Sequence, residues 1–155
     1  MNAFDHYSVL IQQLSQHWNI ACDPPVKECS THFTTGNEGD IMLRLSDDES
    51  VIVVGLSLPL STLSDAPVED HALQQFLLQR VYAARMDSLV RCAWLQEDNR
   101  IAMVRGIEAG TATVEGVLAV IDNLDARFDA LKSVTPVFHG PGRPLPGPMD
   151  VANYV

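Results

Sequence analysis

The side chains best suited to proton transfer or metal binding are the five histidines His6, His17, His32, His71 and His139, and their spacing supports neither role. Two imidazoles share a metal when they lie about one helical turn apart, as in HxxxH or HExxH, and no two of these do. Asp47, Asp48 and Glu49 gather three carboxylates. A calcium loop, however, needs alternating oxygen ligands, a glycine turn and a closing glutamate, so the run reads as a solvated hairpin tip. Cys22, Cys29 and Cys92 are odd in number and contain no CxxC pair, which argues against a disulfide framework and against a zinc knuckle. There is no GxSxG, no glycine-rich phosphate loop and no cysteine with an evident histidine partner. These residues predict a binding protein without a catalytic centre, cofactor or metal.

The class of partner is narrowed by charge. Across 155 residues, twenty acidic side chains against ten basic ones give a formal net charge of -10. Such a surface repels phosphate backbones and anionic headgroups, so nucleic acid and membranes are not expected partners. The same charge keeps a protein with exposed apolar binding surface in solution. Apolar residues at 46% and charged residues at 19% are globular values and leave enough material for one core. The N-terminus lacks a basic and apolar leader, and no stretch approaches a membrane span, which with the unpaired cysteines points to the cytoplasm.

Several periodic segments must carry the binding surface. Phe4, Tyr7, Ile11, Leu14 and Trp18 recur at three and four residues and predict a first helix, ended by Asp23, Pro24 and Pro25. Short β-rich runs follow at Thr31 to Thr35, Asp40 to Leu45 and Ser50 to Leu58, separated by turn-forming segments. In the middle run Ile41, Leu43 and Leu45 share one face and Arg44 takes the other. Val51 to Val54 is apolar on both faces, as in a central strand or one with a face awaiting a partner.

Val68 to Met86 predicts a second helix; Leu89 to Leu95 and Arg100 to Val104 predict a second hairpin. Thr111 or Thr113 can cap a third helix carrying Val114, Val117, Leu118, Ile121, Leu124, Phe128 and Leu131. The order is α-β-β-β-α-β-β-α. It predicts a two-layer α+β domain over residues 1–132, with a five-stranded antiparallel sheet and three helices. Residues 133–155, rich in proline and glycine, read as an extended tail outside the core. Arg143 to Pro146 has the look of a proline-rich ligand, but so short a pattern arises by chance.

This arrangement resembles the class I chaperones of bacterial type III secretion, the Tir chaperone family. Two passages carry the likeness: Asp40 to Gly55, similar to the family's central hairpin, and the run from Ala72 through Leu89 to Leu95 and Arg100 to Val104 into the last helix. The resemblance spans about residues 3 to 132. It implies a homodimer that binds the N-terminal segment of a secreted effector, keeps it extended and delivers it to the secretion apparatus. An extended client can add to an exposed sheet edge and drop alternate side chains into apolar grooves. The alternative is a small-ligand-binding or regulatory α+β domain whose apolar faces enclose a pocket.

Two surfaces are expected on this reading. Phe4, Tyr7 and Ile11 lie on one side of the first helix, and Phe33, Met42, Val54 and Leu56 exceed what an inward-only alternation accounts for. Together these seven residues are expected to line an effector groove. The dimer interface is expected at Leu73, Phe76, Leu77 and Val81 of the second helix, completed by Trp94.

Overall fold

The first helix, α1, spans Ala3–Trp18 and buries Tyr7, Leu10, Ile11 and Leu14 along one stripe, with Phe4 and Trp18 half-buried at its ends. Asn2 caps it: Oδ1 accepts from the Asp5 N–H at 2.8 Å, satisfying one of the donors that a helix start leaves over. The helix stops earlier than the prolines require. Asn19 takes the left-handed conformation (φ 52), its N–H donating to Gln16 O while Ile20 N–H donates to Ser15 O. This is the closing arrangement that asparagine supports nearly as well as glycine, and it frees residues 20–30 to form a connector. The computed structural model describes residues 2–36, 39–62, 89–95 and 97–134, with backbone alone for Trp94 and 132–134.

Five strands follow: β1 (Thr31–Thr34), β2 (Asp40–Leu45), β3 (Val51–Pro59), β4 (Val90–Leu95) and β5 (Arg100–Glu108). All neighbours pair antiparallel, in the order β1-β2-β3-β5-β4. β3 is central, and its parity explains why Val51 to Val54 is apolar on both sides. Ile52, Val54, Leu56 and Leu58 face the helices and are buried, while Val51 and Val53 lie half-buried on the opposite face.

β5 runs four residues beyond the expected Val104 because Gly106, which reads as a breaker, is instead a packing requirement. It pairs with Val53, and a Cβ there would stand 2.8 Å from Val51 Cγ1.

The β2–β3 turn holds the acidic run. Asp48 accepts at Oδ1 from Ser46 Oγ (2.6 Å), Ser50 Oγ (2.8 Å) and Ser50 N (3.1 Å). The Ser46 and Ser50 side-chain hydrogen bonds, then the Ser50 backbone bond, hold its carboxyl down at about 2. The folded value lies below the unfolded one, so this contribution is present above the ordinary aspartate range and is lost as pH falls toward 2. An NMR titration of the Asp48 carboxyl is expected to show a midpoint about two units below that of an ordinary aspartate.

A turn of 3₁₀ helix at Ala109–Thr111 leads to α2, Val114–Val134. Of the two candidate threonines it is Thr113 that caps, its Oγ1 accepting from Gly116 N at 3.1 Å. Val117, Val120, Leu124, Phe128 and Leu131 form the buried stripe, and the helix continues two residues past Lys132, the expected end of the domain.

α1 and α2 share one core with the inner sheet face, giving a two-layer α+β fold with two helices among the described residues. Tyr7 fixes α1 on the sheet: its hydroxyl donates to Leu43 O at 2.9 Å and lies 3.3 Å from Thr31 Oγ1, and burial pushes the phenol up from its usual pKa. His6 Nε2 meets Ala112 O at 2.8 Å, joining α1 to the start of α2. The expected helix at Val68 to Met86, with Leu73, Phe76, Leu77 and Val81, lies outside the described residues, as does the tail beyond 134.

Candidate binding site

The seven residues expected to line a groove are not brought together on a surface. Tyr7, Ile11, Phe33, Val54 and Leu56 are core side chains, none more than 5% exposed. Phe33 meets Trp18 edge-on at 5.0 Å. Strand alternation is the reason: Phe33 shares the inner face with Ile41 and Leu43, and Val54 and Leu56 share it with Ile52 and Leu58. By the same parity Met42 falls on the opposite face, half-buried, with its Cε within 3.2 Å of the Cβ position of Gly55. Phe4 is half-buried at the start of α1, with Lys27 Nζ 5.7 Å from its ring centroid. Trp94, on β4, pairs through its backbone with Ile101 of β5.

Among the described residues, the structure instead presents a strand edge without a neighbour, beside a concave wall. β1 pairs with β2 and with no other strand among the described residues. Thr35 N–H donates to Gly39 O at 2.8 Å, so alternation along an antiparallel ladder makes Phe33–Ile41 and Thr31–Leu43 the hydrogen-bonded pairs. The other side of β2 agrees, since Ser46 N–H donates to Val51 O and the even-numbered residues of β2 therefore face β3. His32 and Thr34 must then turn their N–H and C=O groups outward, and both residues are exposed. No described residue meets those groups.

The wall is the connector between α1 and β1. Cys29 N–H donates to Val26 O at 3.2 Å, and Glu28 takes a positive φ (66), which leaves Val26 63% exposed at the bend. A cavity of 530 Å³ lies between this connector and β1, lined by Cys22, Pro24, Pro25, Val26, Thr31 and His32 among others. A second, of 410 Å³, lies between the connector and α1, where Val9, Ile11, Cys22, Pro24 and Pro25 contribute apolar surface. Both are large enough to seat side chains of an extended segment, and they share Cys22, Asp23, Pro24 and Pro25.

The sequence signal for this site was the Pro24, Pro25, Val26 run, of which Pro24 and Pro25, with Asp23, read only as the end of a helix. On the outer sheet face His32 Nδ1 lies 2.8 Å from Asp40 Oδ2. All three cysteines are free, and no group of side chains able to hold a metal occurs among the described residues. Among them no helix is long and apolar enough to cross a membrane.

No protein-family profile matches the sequence, and no curated protein matches it. Solved structures do. A chain in the crystal structure of the ExsC–ExsE complex superposes with a TM-score of 0.63 at 11% identity, covering 86% of this chain and 96% of that one. A chain in the structure of the HopA1–SchA chaperone–effector complex superposes with a TM-score of 0.58 at 13% identity, covering 85% and 97%. A looser superposition, TM-score 0.49 at 12% identity, covers 81% of this chain and 98% of a chain in the crystal structure of the Yersinia pestis type III secretion chaperone SycH with a stable fragment of YscM2. At these identities the likeness is one of fold: this chain has the α+β architecture, a five-stranded antiparallel sheet with helices against it, of a chain in the first two complexes.

Proposed function

We propose that the protein is a type III secretion chaperone that binds the N-terminal segment of a secreted effector and keeps it extended for delivery. The observation that carries this reading is the edge of β1, unpaired among the described residues, with a cavity beside it to whose wall Pro24, Pro25 and Val26 contribute apolar surface, on a fold also found in a chaperone–effector complex. An extended segment gains main-chain hydrogen bonds from His32 and Thr34 and seats alternate side chains against Pro24, Pro25 and Val26. The test is co-expression with candidate effectors. Retention of an effector through its N-terminal segment supports the reading, and failure to retain any effector encoded beside this chain counts against it.

The protein acts as a homodimer in this reading. Leu89, just before β4, and Leu95, at its end, are 56% and 40% exposed, apolar groups that can add to the expected interface of Leu73, Phe76, Leu77, Val81 and Trp94. Light scattering at tens of micromolar, an order at which a tight dimer stays assembled, is expected to give twice the chain mass; a monomer mass contradicts the dimer.

A further inference from the structure

We propose that the segment accepted at β1 is an alternating strand whose outer-face side chains are basic, one of them reaching Asp40. This rests on the reading of β1 as the client edge, and it adds the client's chemistry. A strand added to β1 continues the sheet, so its side chains divide between the two faces in step with those of β1. Those of inner parity fall beside Thr31 and Phe33, on the side where Pro24, Pro25 and Val26 give the cavity its apolar surface, and are expected to be apolar. Those of outer parity stand beside His32 and Thr34.

Asp40 pairs with Thr34 across β1 and β2, on the outer face. Adjacent strands are about 4.8 Å apart, so a residue opposite Thr34 on the added strand lies about two spacings from Asp40. Thr34 is short, and a lysine or arginine can extend over it to the carboxylate. Asp40 uses Oδ2 with His32, and Oδ1 has no hydrogen-bond partner among the described residues. The surroundings favour the same sign. Asp23 stands in the connector wall without an ion-pair partner among the described residues, whereas the nearby cations are already held, Lys27 by Glu49 at 2.7 Å and Arg44 by Asp47 at 3.1 Å. A chain of net charge -10 draws a basic segment in and repels an acidic one.

The experiment uses three synthetic peptides with the same valines and isoleucines at alternate positions and lysine, serine or glutamate between them. Each is titrated by fluorescence anisotropy into the full chain. The lysine peptide is expected to bind tightest and the glutamate peptide weakest, with lysine over serine by about threefold to tenfold, the scale of a few exposed cross-strand ion pairs. High salt is expected to close that gap. Asp40→Asn is expected to narrow it, chiefly by weakening the lysine peptide. Equal affinities, or a glutamate preference, overturn the basic-client inference and leave the edge reading intact. A lysine preference that survives both Asp40→Asn and His32→Pro marks unspecific attraction and also overturns it. Failure of all three peptides to bind overturns the edge reading itself.

Discussion

Phe33→Asp is expected to abolish cooperative folding, whereas Met42→Lys is expected to fold with a loss of no more than about 1 kcal/mol. Phe33 is wholly buried on the inner face, against Trp18. Removing a buried aromatic ring costs about 3 to 5 kcal/mol, and an unpaired carboxylate in its place adds several more. Together these approach the whole stability of an ordinary domain, about 5 to 15 kcal/mol. Met42 stands on the other sheet face, half-buried, where a lysine stem can lie along Gly55 and keep its ammonium in water. Circular dichroism melts of the two variants decide the matter. A folded Phe33→Asp would remove Phe33 from the core, and an unfolded Met42→Lys would show that the outer face is covered in the folded protein.

That contrast marks what was legible in the sequence. The α1 helix was, because helical period is a local property: the spacing of Phe4 to Trp18 marks it, although Tyr7 and Ile11, expected in the groove, are core. The inward set of β2, Ile41, Leu43 and Leu45, was legible for the same reason. The groove was not. Val54 and Leu56 looked surplus only because the length of β3 and its place at the centre of the sheet depend on β5, more than forty residues away. β5 itself looked short because Gly106 acts as a spacer against Val51, a contact no window around Gly106 contains. The edge position of β1 is likewise a fact of strand order; Thr31 to Thr34 would read the same in mid-sheet. The connector owes its reach to Asn19, whose left-handed turn ends α1 ahead of the prolines.

His32→Pro is expected to weaken effector capture at least about tenfold while the domain stays folded. Proline removes the outward N–H of His32 and puts a ring where the added strand must approach. One lost main-chain bond is worth about 1 kcal/mol, and the steric block adds to it, against about 1.4 kcal/mol for each tenfold in affinity. The ladder to β2 is spared, since the N–H removed does not face β2, and proline is tolerated on an edge strand at such a position. His32→Ala, which keeps the N–H and loses only the imidazole and its contact with Asp40, is expected to bind within about threefold of the unaltered chain. Pull-down titrations alongside thermal melts separate the two effects. Equal binding by His32→Pro and His32→Ala would mean that the backbone of β1 takes no part.

Amide hydrogen exchange, read residue by residue in the free chain and in complex with an effector's N-terminal segment, tests the edge most directly. Thr31 and Phe33 are bonded to β2 and are expected to be protected in both states. The amides of His32 and Thr34 point away from β2; they are expected to exchange freely in the unbound chain and to become protected once the segment adds to the sheet. Unchanged exchange at His32 and Thr34 in a formed complex, with new protection appearing along Val90–Leu95 instead, would contradict the assignment of β1 as the client-binding edge.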